Sequence, residues 1–148
     1  MAEATLAAEN IETENPEELT DENKNFELRS IREIVRDLSK PVAKRHLRVR
    51  RQGGKEIGYI AWHDAIKYLD HYAPGWTYEV RNMQSIGGKL ILTIRLSVPC
   101  LEGIVFREAT GQEDEEKDTY GDSSSNAESM ALRRAAAKFG LGLYLYDQ

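Results

Sequence analysis

The stretch KLILTIRLSV, Lys89 to Val98, alternates throughout except at Ile91. Leu90, Leu92, Ile94, Leu96 and Val98 fall on one side, and Lys89, Thr93, Arg95 and Ser97 on the other. A period of two does not fit a helix. It predicts a strand with one buried face and one face that can be wet. Shorter runs of the same kind flank it: TYEVRNM (Thr77 to Met83) before it, and EGIVFREA (Glu102 to Ala109) after it. Gly87-Gly88 and the Pro99–Gly103 stretch supply the turns, so three strands are expected to pair as antiparallel neighbours.

A sheet with one apolar face needs a cover. AESMALRRAAAKFGLGLYLY, Ala127 to Tyr146, supplies it. Ser125 as N-cap and Glu128 three residues later would form a capping box. Phe139-Gly140 reads as the stop, with Gly140 or Gly142 free to take a left-handed cap. At about 100° per residue, Leu132, Ala135, Ala136 and Phe139 share one arc, which should face the sheet. Arg133, Arg134 and Lys138 flank the opposite arc. The alanines allow close approach to the sheet, and the bases stay outside on a rigid support. This arrangement suits phosphate binding. Bases near a helix C-terminus also complement the macrodipole, so the cluster has a purely structural reading too.

The rest of the chain adds short elements. From Asn25 a helical pattern is expected, with Leu28, Ile31, Ile34, Val35 and Leu38 on one face and Arg29, Arg32 and Arg36 on another; Pro41 ends it. KRHLRVRRQGGK, Lys44 to Lys55, holds six Lys or Arg residues and His46 around a Gly53-Gly54 turn. It reads as a strand or extended arm, a turn, and then a strand at Ile57–Ala61. Trp62, Ala65, Ile66, Leu69 and Tyr72 recur at helical spacing, and Pro74-Gly75 closes that helix. GQEDEEKDTYGD, Gly111 to Asp122, reads as a polar loop. The fold class is therefore α+β, a three-stranded antiparallel sheet followed by a helix, with an additional N-terminal helix and short strands. At 148 residues it forms one domain, residues 25–148, behind an acidic tail, residues 1–24, that reads as disordered.

The net charge of −5 hides an uneven distribution. Residues 1–24 carry eight acids and one base, net −7; residues 25–112 carry fifteen bases and nine acids, net +6; residues 113–148 are net −4. Surface potential follows the local patch, so a basic middle flanked by acidic segments remains compatible with nucleic acid. The DNA-binding candidates are Lys44, Arg45, Arg48, Arg50, Arg51 and Lys55 on the arm, with Arg133, Arg134 and Lys138 on the helix. Tyr59, Trp62 and Trp76 could stack on bases; lying where sheet and helix must pack, they are read first as core. The acidic tail could fold back over the basic groove and compete with DNA.

Other classes find little support. The acids of Glu113–Glu116, with Asp118 and Asp122, do not fix a metal geometry, and a solvated acidic loop explains them. His46, His63 and His71 lack metal-ligand spacing. Both Gly-Gly-Lys sequences lack the earlier Gly and following Ser/Thr of a phosphate loop. No nucleophile motif is present, so no catalytic residue, metal or cofactor is expected. Cys100 is the single cysteine, which excludes an internal disulfide and points to a reducing, cytoplasmic setting. The acidic N-terminus resembles neither a signal nor a transit peptide, and no apolar run is long enough for a membrane span.

Three pieces in order carry a family resemblance: GGKEIGYIAWHDAIKYLDHYAPGW, the three-strand middle, and AESMALRRAAAKFGLGLY. From about Arg48 to Tyr146 the chain resembles the Rad52/Rad22 single-strand annealing proteins, with bacterial and phage relatives of DdrA and Sak type. The resemblance implies a β-β-β-α core that assembles into a ring or helical filament. It implies single-stranded DNA in a basic groove, and annealing of complementary strands without ATP in recombination and break repair. Arg133 and Arg134 match the family's basic pair on the groove helix, whereas Lys138 rests on helical geometry alone. Where the family has an arginine before the Gly-Gly turn, this chain has Val49, between Arg48 and Arg50. The implied partners are single-stranded DNA, further copies of the chain, and single-strand-binding protein or other recombination proteins. Location would be cytoplasmic, or nucleoid-associated in a bacterium. The long C-terminal extension of larger eukaryotic members is not expected after Tyr146, so its partnerships are not carried over. The alternative is a basic-faced protein-interaction or DNA-end-protection module that does not anneal.

Overall fold

A computed structural model of the chain describes residues 27–115 and 123–147. The order is α1 (Ile31–Leu38), a 3-10 turn (Lys44–His46), β1 (Leu47–Gln52), β2 (Lys55–Ile60), α2 (Trp62–Tyr72), β3 (Thr77–Ile86), β4 (Lys89–Cys100), β5 (Gly103–Asp114), α3 (Ser123–Lys138) and a final 3-10 turn (Leu143–Asp147). The architecture is α+β. β1 and β2 form a separate antiparallel hairpin, and β3, β4 and β5 form an antiparallel sheet with β4 in the centre.

The alternation in β4 is the one expected from sequence. Leu92, Ile94, Leu96, Val98 and Cys100 are buried, and each intervening residue is half-buried. α3 lies across this face. Ala127, Ala131, Leu132, Ala135, Ala136 and Phe139 are all buried against it. Burying a side chain of the size of Phe139 contributes roughly 1.5–3 kcal/mol. The small side chains set how near the helix comes. At Gly111 the approach is so close that a Cβ would collide with the Ala127 carbonyl and lie 2.7 Å from the Ala131 nitrogen.

Several boundaries differ from the sequence expectation. Gly111 to Asp114 have the composition of a polar loop; they extend β5 instead, pairing with Leu92, Ile91, Leu90 and Lys89. The long β4 offers a full ladder of backbone partners, and these outweigh the polar composition of the segment. α1 begins at Ile31, where the Ser30 hydroxyl accepts from the Glu33 N–H at 3.2 Å. Leu28 is thus exposed and outside the helix, and Arg29 does not share a helical stripe with Arg32 and Arg36. Arg29 instead clamps three segments: it ion-pairs with Asp37 and donates to the Tyr72 carbonyl at 3.2 Å, while its own carbonyl accepts from Leu101 N–H at 2.9 Å. Ser125 lies inside α3, which starts at Ser123, so it is not the N-cap; Glu128 accepts from the Tyr78 hydroxyl at 2.9 Å. Burial and the neighbouring Glu128 carboxylate push that phenol up to about 12. The acidic tail, Asn25 and residues 116–122 lie outside the described residues.

The end of α3 follows the expected stop. Gly140 N–H donates to the Ala137 carbonyl at 2.8 Å and Leu141 N–H to the Ala136 carbonyl at 3.1 Å, the paired bonds of a Schellman cap. Gly140 has φ 107° and Gly142 φ 65°, both in the region that favours glycine. They turn the chain back beneath the hairpin.

Two outcomes test this packing. Gly111→Val should destabilise the fold by about 3 kcal/mol or more, since helix backbone cannot yield as a side chain can; chemical denaturation measures it. Asp37 is held below the usual carboxylate range by hydrogen bonds from Arg29 and Lys40. Its stabilising effect is therefore complete above the unfolded carboxylate pKa of about 3.9 and is lost as pH falls through the lower folded value. Asp37→Asn should be less stable than the parent at pH 7, with the gap closing in acid below that range.

Candidate nucleic-acid interface

The hairpin and α3 meet over a cavity of about 260 Å³. Its floor is apolar: Ile57, Ile60, Met130, Leu141 and Leu145. It is also lined by Arg50, Arg133, Arg134, Tyr59 and Tyr146, and among the described residues no carboxylate lines it.

The hairpin presents its bases by strand alternation. Arg48 pairs with Tyr59 and Arg50 with Ile57, so all four share one face. Lys55, opposite Gln52, is on that face near the tip. Arg51 pairs with Glu56 on the other face. Gly53 and Gly54, at φ 60° and 78°, make the two-residue turn that fixes this register. Val49, which stands where the resemblance expected arginine, is 63% exposed and belongs to the opposite face from Arg50. Arg50 is the β1 base that reaches the cavity. Lys44 and Arg45 are exposed on the preceding 3-10 turn. That turn is tied down by the Tyr68 hydroxyl, which accepts from Ala43 N–H at 3.1 Å and lies 2.8 Å from His46 Nδ1.

Arg133 comes to the same cavity from α3. Its guanidinium sits 5.1 Å from the centre of the Tyr59 ring, and that of Arg50 sits 5.7 Å from the same centre. Burial pulls the Arg133 pKa down from its ordinary value; the neighbouring Arg50 charge acts in the same direction, while Tyr146 and Tyr59 oppose it. The side chain remains a cation, since arginine does not lose its proton in the physiological range. Two guanidiniums on one ring thus share a partly desolvated site, which favours an incoming anion.

Arg134 and Lys138 have a different setting. Arg134 Nη1 donates to the Thr110 carbonyl at 2.8 Å, and Lys138 Nζ to the Glu108 carbonyl at 2.6 Å. Both carbonyls belong to β5, which has no strand beyond it among the described residues. The two bases therefore cap the free edge of the sheet, and Arg134 also contributes to the cavity wall. The structure brings Arg50, Arg133 and Arg134 together, places Arg48 and Lys55 on the hairpin face they share, and leaves Lys44, Arg45, Arg51 and Lys138 outside the cavity.

The aromatic candidates separate as well. Trp76 donates from Nε1 to Asp70 at 2.6 Å and stacks on Tyr78. Trp62 and Trp76 both pack against the core; only Tyr59 reaches the groove. Sequence reasoning missed Tyr146, because no spacing rule links a residue beyond Gly142 to a hairpin almost a hundred positions earlier. Among the described residues, no group of three or more His, Cys, Asp or Glu could hold a metal ion, and no helix is long and apolar enough to cross a membrane.

Comparison with known proteins matches residues 30–148 to the family described as Rad52/22 family double-strand break repair protein. The chain belongs to the Rad52/22 family. The matched region holds every described element from α1 to the last 3-10 turn. Two relatives from Arabidopsis thaliana are similar over most of this chain. It is 37% identical over 122 residues to DNA repair RAD52-like protein 1, mitochondrial, covering 81% of this chain and 69% of that protein. It is 36% identical over 124 residues to DNA repair RAD52-like protein 2, chloroplastic, covering 81% of this chain and 62% of that protein.

Removing the edge caps tests their structural part. Arg134→Ala/Lys138→Ala leaves the Glu108 and Thr110 carbonyls open to strand addition. The double variant should scatter light at a lower temperature on heating than the parent, and unchanged scattering would show that the caps do not guard the edge.

Proposed function

We propose that the protein binds single-stranded DNA in the groove between the hairpin and α3 and anneals complementary strands without a nucleotide cofactor, in recombination and double-strand break repair. The observation that carries this reading is the pair of guanidiniums, Arg50 and Arg133, on the Tyr59 ring in a cavity with no carboxylate among its described lining residues. Membership of the Rad52/22 family and the DNA-repair names of the two plant relatives support it.

The mechanism follows from those side chains. Arg50 and Arg133 bind phosphate from two sides, one from a strand and one from a helix, so the strand is held at a fixed height above the apolar floor. Arg48 and Lys55 extend the basic face along the hairpin, and Lys44, Arg45 and Arg51 add to the surrounding positive field. Backbone grip leaves base edges unread, so binding needs little sequence preference. Copies of the chain, in a ring or helical filament, would align successive grooves into one track. A second strand then tests pairing against the presented bases, and duplex stacking drives the reaction forward. This mechanism assigns no residue a bond-making role, so the reading is of a binding and annealing protein and not of an enzyme.

An annealing assay with two complementary labelled oligonucleotides, free of ATP and divalent metal, is the test. Pairing should run well above the spontaneous rate. Arg50→Ala and Arg133→Ala should each weaken single-strand binding while leaving the protein folded. Each should also lower the slope of log affinity against log salt by about 0.7 for every phosphate that is no longer neutralised. Binding without acceleration would instead indicate a strand-protecting module.

A further inference from the structure

The groove accounts for phosphate but leaves one aromatic unused. Tyr59 is engaged, since its ring already carries two guanidiniums. Trp62 and Trp76 pack against the core. Tyr146 differs from all three. It lines the cavity, yet it is 59% exposed. Among the described residues its ring enters no aromatic pair and carries no cation.

Its position is well fixed. Leu143 N–H donates to the Gly140 carbonyl at 3.3 Å and Leu145 N–H to the Gly142 carbonyl at 3.0 Å, which winds the segment into a 3-10 turn directly after the helix cap. With about three residues per turn, Leu143 and Tyr146 share the outer side. Leu145 turns into the cavity, and the Tyr144 hydroxyl accepts from Val42 N–H at 3.0 Å, pinning the turn to the chain before the hairpin. Tyr146 is thus a half-open ring held at the cavity that it lines together with Arg133.

We propose that Tyr146 is a base-stacking platform at the lip of the groove, so that each subunit grips one nucleotide twice, at its phosphate through Arg50 and Arg133 and at its base through the Tyr146 ring. This rests on the single-strand reading of the groove given above. A flat aromatic face accepts any base, because every base has a π-face. Stacking covers that face and leaves the pairing edge free, so the held base can still be tested by a second strand. Tyr59, carrying the two guanidiniums, is a positioning residue, and Tyr146 is the one that touches the base.

The test measures binding of a labelled oligothymidylate and of the same oligomer carrying abasic residues. Tyr146→Ala should bind the oligothymidylate about tenfold more weakly than the parent, with Tyr146→Trp restoring affinity. On the abasic oligomer the parent and Tyr146→Ala should bind alike. The salt slope should stay at the parent value for Tyr146→Ala and fall for Arg133→Ala. An equal loss on both oligomers, or no loss on either, would overturn the platform while leaving the groove in place. So would a Tyr146→Ala protein that sediments as a smaller assembly and keeps full affinity per subunit, since the ring would then serve a contact between copies. A parent protein that bound neither oligomer would overturn the groove reading, and the platform with it.

Discussion

The close crossing of α3 over β5 governs this structure. Gly111 lies under the Ala127–Ala131 turn with no room for a Cβ. Alanines on the helix and a glycine on the strand let two backbones meet where ordinary side chains would hold layers about 10 Å apart. That single approach settles the height of the helix above the sheet. The height in turn settles where Arg133 emerges beside the hairpin, and how near Arg134 and Lys138 come to the β5 carbonyls. Packing and the placement of the candidate site are therefore set by the same distance.

Electrostatics then divide three consecutive-looking bases into two groups. On the helix, Arg133 is about 100° from Arg134, and Lys138 is close to the Arg134 line. Arg133 falls on the hairpin side and meets Tyr59 and Arg50. Arg134 and Lys138 fall on the strand side and meet backbone carbonyls. A charge-assisted bond to a carbonyl is individually modest when exposed. Its value lies in satisfying an acceptor that would otherwise invite another strand. Arg133, partly desolvated, has the Tyr59 ring as its neighbour in the cavity instead of a backbone carbonyl.

Much of this is legible in the sequence because it is periodic. The alternation through Leu92, Ile94, Leu96 and Val98 marks the central strand, and the arc of Leu132, Ala135, Ala136 and Phe139 marks the buried side of α3. Gly53-Gly54 and Gly140 signal a hairpin and a helix end by the positive φ each requires. Structure and expectation part where long-range partners override local signals. Polar composition at Gly111–Asp114 suggests a loop, but the ladder from β4 claims it. Ser125 and Glu128 have the spacing of a cap, but Tyr78, fifty positions away, binds the glutamate. Arg29 looks like part of a helical stripe, and its actual partners are set by α1, α2 and the turn after β4. The cavity itself joins residues from both ends of the domain, which no local window can see.

The capped edge of β5 has a consequence for the order of events as the chain is made. The three strands precede α3, so during synthesis the sheet emerges before the helix that covers its apolar face and binds its outer carbonyls. Until Arg134 and Lys138 arrive, a nascent sheet shows both an oily surface and an open ladder. The two exposures are closed together by one sixteen-residue element. Until that element is in place, these are the two surfaces through which a nascent chain is open to its neighbours.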